Sequence, residues 1–210
     1  MGNQVRHTRV SLTRILPGTM CVASLLLMGP AFADYGPEHQ ARLDALQRAA
    51  DRGSVQDQAL LGNLYLHGTG VPRDYEKALL WSGKAARQGG VLAQHDLGYM
   101  YYHGIGVPRD YERAAHWHRQ AAEQGFGPSQ LGMGVLYAMG KGVPKDYVLA
   151  HKWSDLAAAH LARANGAVGR VPERREAAIR YRDAVAVHMT SEQIAEAQRR
   201  ARDWQPKVVQ

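Results

Sequence analysis

The chain repeats itself every 36 residues, and this repeat limits the folds that are open to it. The segment Gly68–Tyr75 recurs as Gly104–Tyr111 and again as Gly140–Tyr147, each time with two glycines, a Val-Pro pair, a basic residue, Asp and Tyr. A tryptophan keeps the same register in every copy, at Trp81, Trp117 and Trp153. Because no insertion interrupts the spacing, we expect similar structural units stacked one on the next.

Each copy is predicted to form two helices. In the first copy, apolar residues recur at helical spacing over residues 55–65 and again over residues 78–85. Gly68 is placed to end the first helix in a left-handed conformation, which costs glycine little. Pro72 prevents that helix from resuming, and Asp74 can cap the next one by accepting from its free amides.

Small residues at fixed positions predict how the helices pack. Glycines at 62, 98 and 134 would ordinarily weaken a helix by about 1 kcal/mol each, so we expect them to let two helix backbones approach closely. Paired alanines follow each tryptophan and predict a large-against-small interlock between helices. In the middle copy, we expect Trp117 to be buried on both flanks, so that Trp117→Ala costs about 3–5 kcal/mol.

These residues resemble a known repeat family. The pattern Leu-Gly-x-x-Tyr, then Gly-x-Gly-Val-x-x-Asp, then Ala-x-x-Trp and Ala-Ala is similar to the Sel-one-like repeat (SLR), a relative of the tetratricopeptide repeat, over residues 54–161. The third copy departs from it at Met133, Val148 and Leu161. The resemblance implies an all-α fold, namely a right-handed α-solenoid of antiparallel helix pairs with the first helices along the inner surface. It implies protein–protein interaction and no catalysis.

The repeats and their flanks divide the chain into seven segments. We predict a signal peptide over 1–33, an N-terminal capping helix over 34–53, repeats over 54–89, 90–125 and 126–166, a degenerate C-terminal capping repeat over 167–205, and a tail over 206–210. Thr190 and Gln193 predict a capping box at the start of the last helix. We expect Trp204 to pack inward and the tail from Pro206 to be frayed.

The resemblance also implies where a partner would bind. In tetratricopeptide-like repeats, residues that flank the stacking positions of the first helix face the concave groove. On this chain these positions are Gln56, Asn63, His67, Leu92, His95, Tyr99, Tyr102, His103, Leu131, Val135 and Met139, and we predict partner binding at the nine of them other than Gln56 and Leu92. Tyrosine is a favoured interface anchor because it joins a large contact area to one polar tip. The alternative that Tyr99 and Tyr102 pack against the adjacent helix stays open.

The sequence gives little support for metal, catalytic or phosphate-binding chemistry. His67, His95 and His103 fall on neighbouring first helices, which suits either a zinc or copper site, or a polar groove lining or interfacial packing. Since no acidic residue stands at a fixed spacing from them, we predict no metal and no cofactor. The serines lie in ordinary helix or turn contexts without a nucleophile elbow, so no catalytic residue is assigned. The glycines over residues 132–142 lack the spacing and the Ser/Thr of a phosphate loop.

The first 33 residues read as an export signal. Arg6, Arg9 and Arg14 precede an apolar run over residues 20–28, and Ala31-Phe32-Ala33 provides small residues where a signal peptidase cleaves. The run is shorter than the roughly 20 residues that span a bilayer, so we expect cleavage after Ala33 and no membrane span afterwards. An uncleaved membrane anchor is the alternative.

Charge and cysteine content exclude further classes of protein. The chain has a net charge of +7, which falls to +4 once the three arginines of the signal are removed. The remaining charges alternate in sign along helices, whereas a nucleic-acid-binding protein would carry a continuous basic stripe. The single cysteine, inside the apolar run, excludes a disulfide framework.

We therefore expect a monomeric, non-enzymatic scaffold or adaptor of the bacterial cell envelope, periplasmic or secreted, that binds a protein or peptide and no nucleic acid. Two alternatives remain at this point. One is a secreted or periplasmic hydrolase, or an enzyme accessory, with a histidine-containing site. The other is a structural spacer, whose groove would be polar and featureless.

Overall fold

The structure, a computed structural model, describes residues 36–163 and 171–207. These residues form nine α-helices and contain no β-strand, which confirms the all-α prediction. The helices are α1 (Pro37–Asp51), α2 (Val55–His67), α3 (Tyr75–Arg87), α4 (Val91–His103), α5 (Tyr111–Glu123), α6 (Gly127–Met139), α7 (Tyr147–Arg163), α8 (Val171–Ala186) and α9 (Ser191–Arg202). The predicted signal peptide, its cleavage after Ala33 and the predicted boundary between residues 166 and 167 lie outside the described residues.

The chain divides into two compact units after Gln40. Of the first unit, Met1–Gln40, the structure describes Gly36 and the first residues of α1. The second unit, Ala41–Gln210, contains the packed helices. No helix in the described ranges is both long and apolar enough to cross a membrane.

Helix pairs are the building blocks of the second unit. Helix α2 packs on α3, α4 on α5 and α6 on α7, while the first helices α2, α4, α6 and α8 contact one another in chain order. The second unit is therefore an α-solenoid of antiparallel helix pairs. We call the surface of α2, α4 and α6 that faces away from their second helices the first-helix face.

The predicted helix ends are confirmed in all three repeats. The residue that ends each first helix is a glycine in the left-handed conformation, with φ of 69° at Gly68, 71° at Gly104 and 65° at Gly140. Each second helix begins after an aspartate whose carboxylate accepts a hydrogen bond from a backbone amide three residues later; Asp74, for example, accepts from Lys77 N at 3.0 Å. The capping box of Thr190 and Gln193 is present at the start of α9.

The glycines of the first helices allow the predicted close approach of backbones. A Cβ atom added at Gly62 would lie 2.9 Å from Ser82 N, and one at Gly134 would lie 3.2 Å from Ala150 O. In the middle repeat the neighbour differs, since a Cβ at Gly98 would meet the ring of His118 at 2.7 Å. The second helix therefore crosses the first with no space for a side chain at these positions.

A row of buried glutamines, which the repeat pattern did not predict, links each repeat to the preceding helices. The side-chain amides donate to carbonyl oxygens of alanines eight residues earlier, at 2.9, 3.2 and 3.1 Å; the glutamines are Gln58, Gln94 and Gln130. Their side-chain oxygens lie 2.7, 2.8 and 2.7 Å from nitrogen atoms of the residues Gln88, Gln124 and His160. A buried amide stabilises a stack only when both its groups are paired, as they are here.

The expectation that Trp117 is buried on both flanks is wrong. Trp81 and Trp153 are 5% and 6% exposed, whereas Trp117 is only half-buried. Trp81 packs in a cluster with leucines of α1, and the ring of Trp153 lies 6.3 Å from that of Trp204. The side chains that shield Trp81 and Trp153 from solvent thus belong to the terminal segments of the second unit, and these segments do not reach Trp117.

The expectation of a frayed tail is also wrong for its first two residues. Lys207 N donates to the carbonyl oxygen of Glu123 at 2.7 Å, and Lys207 Nζ lies 2.8 Å from the Glu123 carboxylate. The side chain of Pro206 packs near Gly125. Trp204 packs inward against Trp153, as predicted. The chain after α9 therefore folds back onto the junction between the second and third repeats.

Candidate partner-binding groove

A pocket of about 240 Å³ opens on the first-helix face, between the middle and third repeats. Six of the nine residues predicted for partner binding line it, namely His95, Tyr99, Tyr102, His103, Leu131 and Val135. His118, Pro128 and Gly132 complete its walls. Helices α4 and α6 provide all of these side chains except His118, which reaches the pocket from α5. We call this space the middle pocket.

The other three predicted residues do not line the middle pocket. Asn63 donates to Asp96 Oδ2 at 3.0 Å and so connects the first two repeats. His67 is exposed. Met139 is exposed as well, and its sulfur accepts a long hydrogen bond of 3.8 Å from the Tyr102 hydroxyl. Of the predicted histidine cluster, the structure therefore brings His95 and His103 to one pocket and leaves His67 outside it.

The two tyrosines of α4 have different surroundings. Tyr99 is 38% exposed, and its ring lies 4.4 Å from that of His103. Tyr102 packs at the edge of the hydrophobic core, with its ring 5.4 Å from that of Tyr111. The alternative that both tyrosines pack against the adjacent helix therefore applies to Tyr102, whereas Tyr99 presents its ring at the mouth of the pocket.

Two of the lining residues, His95 and His118, belong to a hydrogen-bonded group of three side chains. Ser129 Oγ lies 3.0 Å from His95 Nδ1 and 3.4 Å from His118 Nδ1, and the two imidazole rings are 5.5 Å apart. The ring of Phe126 meets that of His95 edge-on at 5.1 Å. We call His95, His118 and Ser129 the His-Ser-His group.

His118 and Ser129 were not among the predicted binding residues, although the repeat register contained a signal for them. The residue after each tryptophan is Ser82, His118 and Ser154, so the middle copy alone has a large side chain there. One helix later, Gly132 occupies the register of Leu60 and Asp96, and a Cβ at Gly132 would lie 3.3 Å from the His118 ring. The large side chain of His118 in the middle copy therefore lies where Gly132 of the third copy has no side chain.

Burial keeps both histidines of the group neutral. Removal from water lowers the pKa of His95 to about 3, with smaller contributions from the charges of His118, Arg174 and His67. Burial likewise lowers the pKa of His118 to about 4, with a smaller contribution from the charge of His103. Each imidazole therefore carries one ring proton at neutral pH.

Asp96 is a buried carboxyl group next to His95 in the sequence. It is 3% exposed, and burial raises its pKa to about 7, against a smaller opposing effect of the hydrogen bond from Asn63. The folded chain therefore retains a proton on Asp96 at pH values where the unfolded chain has lost it. As the pH rises from about 4 to about 7, the contribution of Asp96 to the free energy of unfolding falls.

We predict that Asp96→Asn stabilises the protein in alkaline but not in acidic solution. The asparagine cannot ionise, so the variant should gain at most about 4 kcal/mol over the parent at pH 8, and the gain should disappear near pH 4. Urea denaturation of both proteins at the two pH values measures the difference. The exposed Asp51→Asn serves as the control, and an equal effect of Asp96→Asn at both pH values would contradict the raised pKa.

Neither a metal site nor an accessible nucleophile is built from these residues. Within the described ranges, no group of three or more His, Cys, Asp and Glu side chains is arranged to hold a metal ion. Ser129, which lies between two histidines, is fully buried, so a substrate cannot reach its hydroxyl. The middle pocket is an apolar and aromatic depression with two neutral imidazoles at its base, and such a surface suits the binding of a side chain.

Comparisons with known proteins agree with the repeat. The family model for the Sel1 repeat matches residues 55–90, 91–126 and 127–160, together just over half of the chain. A crystal structure of a Sel1 repeat protein from Oxalobacter formigenes is 36% identical, with a TM-score of 0.53, over 65% of this chain and 98% of that one.

A second solved structure is a protective antigen present in uropathogenic Escherichia coli strains that displays an SLR fold. It is also 36% identical, with a TM-score of 0.54, over 68% of this chain. The match covers 33% of that structure's length. No curated protein matches the sequence.

Proposed function

Because the chain belongs to the Sel1 repeat family, we propose that it is an exported scaffold of the bacterial cell envelope that holds a peptide or protein partner along its first-helix face. Sel1 repeats suggest a protein–protein interaction scaffold, and proteins of the family are typically non-catalytic. The fold itself is shared by proteins with many partners, so the proposal depends on the site.

The observation that carries the proposal is the middle pocket. Stacking alone would require only small and apolar side chains on the first helices, as at Ala59 and Gly62. The middle repeat instead presents Tyr99, His103 and the imidazoles of His95 and His118 around one opening. An exposed aromatic ring beside an apolar depression is a typical anchor point of protein interfaces.

The size and polarity of the pocket favour one inserted side chain of a partner. Its volume of about 240 Å³ is below the range typical of sites for drug-sized ligands, which begins at about 300 Å³. Its base is uncharged at neutral pH, so burial of an uncharged side chain there leaves no charge without solvent. The remaining contacts of the partner would lie along the first helices, at residues such as Leu60 and Met139, which are exposed.

We predict that Tyr99→Ala abolishes partner capture while the fold is retained. Tyr99 is exposed and outside the hydrophobic clusters, so its truncation should change the free energy of unfolding by less than about 1 kcal/mol. Loss of an aromatic anchor should weaken partner binding by about 2 kcal/mol or more, which is at least a factor of 30. The measurement is affinity capture from a periplasmic extract with the parent and the variant, together with their thermal unfolding.

The matched control is Leu80→Ala. Leu80 is 51% exposed and lies on α3, away from the first-helix face. Its truncation removes exposed apolar surface from the same fold and should leave capture unchanged. Equal capture by the parent and the Tyr99 variant, or equal loss in both variants, would contradict the proposed binding face.

Export is part of the proposal and rests on the first 33 residues. The arginines, the short apolar run and Ala31-Phe32-Ala33 together support cleavage by a signal peptidase. Mass spectrometry of the protein from the periplasm should find a mature chain that begins at Asp34. An intact amino terminus on membrane-bound protein would contradict export with cleavage. It would not bear on the proposed partner binding.

A further inference from the structure

The His-Ser-His group is a local departure from the repeat. His95 stands in the register of Ala59 and Leu131, and Ser129 stands in the register of Ala93. His118 likewise replaces the serine of the other two copies. Since the neighbouring repeats stack without these side chains, stacking does not require them. Three such departures that meet at one point indicate a specific binding role.

The buried hydroxyl of Ser129 determines how the two rings are protonated. A serine hydroxyl has one proton to donate and two lone pairs. Ser129 is fully buried, and among the described residues its hydroxyl is hydrogen-bonded to the two histidines alone. A buried hydroxyl proton without an acceptor is costly, so Ser129 donates to one Nδ1 and accepts from the other.

The two imidazoles are therefore complementary tautomers. The ring that accepts from Ser129 has its proton on Nε2, and the ring that donates to Ser129 has a bare Nε2. This follows because both rings are neutral at pH 7, as their burial requires. The pair thus offers one N–H donor and one lone-pair acceptor on the side away from Ser129.

Neither Nε2 atom has a hydrogen-bond partner among the described residues, and both rings line the middle pocket. Among the described residues, the buried polar side-chain atoms that lack a hydrogen-bond partner are Ser82 Oγ and His151 Nδ1. The Nε2 atoms of His95 and His118 have no partner within this part of the chain either, so they are reached by solvent. The space that both rings line is the middle pocket.

We propose that the middle pocket recognises a carboxamide, the side chain of an asparagine or glutamine in the partner peptide. This inference rests on the proposed function and names the chemistry of the group bound. A carboxamide donates through its NH₂ and accepts through its oxygen, which matches the two Nε2 atoms. The apolar walls at Leu131 and Val135 would cover the methylene groups of that side chain.

Charged groups match the pair less well. An ammonium group only donates, and a carboxylate only accepts, so each leaves one Nε2 without a partner. Arg174, whose positive charge contributes to the low pKa of His95, is the cation that could instead attract a carboxylate. A hydroxyl also donates and accepts, as that of Ser129 does between the same two rings, but it has one polar atom where a carboxamide has two. The carboxylate and the hydroxyl are therefore the competing groups that the second measurement includes.

The first measurement reads the tautomers directly. In the full chain labelled with ¹⁵N, long-range ¹H–¹⁵N spectra at pH 7 should show His95 and His118 with their protons on different ring nitrogens. In Ser129→Ala, which places in α6 the alanine found at residue 93, this difference should be lost while far-UV circular dichroism shows the helical fold retained. The melting temperature should fall, because both Nδ1 atoms lose their hydrogen-bond partner. The same tautomer for both rings in the parent protein would overturn the inference.

The second measurement uses three probes that share one phenyl group. 3-Phenylpropanamide, 3-phenylpropanoate and 3-phenylpropan-1-ol are titrated while the signals of the two rings are followed. The amide should bind at least tenfold more tightly than either of the others, and Ser129→Ala should weaken its binding at least fivefold. Equal binding of the alcohol, a preference for the carboxylate that disappears in Arg174→Gln, or no binding of any probe would overturn the inference.

The outcome separates this inference from the proposed function. If the amide is not preferred but Tyr99→Ala still loses the partner, the scaffold function stands and the carboxamide inference fails. If the amide is preferred but the parent chain captures no partner, the proposed function fails and the chemical preference of the pocket stands. A captured partner gives the decisive comparison, because replacing its inserted Asn or Gln by Asp or Glu should weaken binding at least tenfold.

Discussion

Trp153→Ala should lower the free energy of unfolding by about 3–5 kcal/mol, whereas Trp117→Ala should cost less than about half as much. Trp153 is 6% exposed and packs in one cluster with Leu136, Leu156 and the ring of Trp204. Its removal leaves a cavity that side chains from two helices and the chain after α9 cannot refill. Trp117 is half-buried, so water already reaches part of its ring and less transfer free energy is lost.

Urea denaturation of the two variants side by side measures this difference. Both changes remove the same side chain from the same register of adjacent repeats, so each variant is the control of the other. Equal losses would mean that neighbouring repeats, and not the terminal segments, cover the tryptophans. A loss of 3–5 kcal/mol for Trp117→Ala would restore the expectation drawn from the sequence.

Gly142→Ala should cost about 4 kcal/mol, because two unfavourable effects act at one position. The backbone of Gly142 is left-handed, with φ of 66°, where a side chain costs about 1–2 kcal/mol. A Cβ atom there would also overlap the carbonyl oxygen of Tyr111, in the preceding repeat. Because the overlap is with backbone, relief requires a shift of one repeat against the other, and overpacking of this kind typically costs a further 1–3 kcal/mol.

Gly53→Ala is the matched control for this prediction. Gly53 is also left-handed, with φ of 96°, but a Cβ atom there would have no neighbour within 4 Å. Its replacement should cost only the conformational 1–2 kcal/mol. The difference between the two variants in chemical denaturation therefore isolates the contact between the second and third repeats. Equal losses would show that the glycine of the loop serves its own turn and not the stacking.

The repeat allowed the local structure to be predicted residue by residue. Gly68 ends a helix and Asp74 begins the next because their chemistry acts within a few residues of the chain, where no distant contact is needed. The close approach at Gly98 could also be predicted, because a residue that weakens a helix and yet recurs in register must serve packing. Because the spacing is identical in three copies, each of these local predictions applied to every repeat of the stack.

Burial at single positions depended on tertiary neighbours. Trp81, Trp117 and Trp153 are equivalent in the sequence, yet Trp117 alone lacks cover from α1 or from the chain around Trp204. The tail at Lys207 is held by Glu123, more than 80 residues earlier in the chain. Contacts of this kind join residues that no spacing rule relates, so the sequence contained no signal for them.

The sequence by itself determined the all-α solenoid, its helix ends and the face on which nine binding residues were expected. Only the tertiary structure decided which of them meet, and it added His118 and Ser129. The physical reason is that a periodic pattern specifies what is the same in every repeat, whereas a site consists of what differs. His95, His118 and Ser129 lie on three successive helices, and only the crossing of those helices brings their polar atoms within hydrogen-bonding distance.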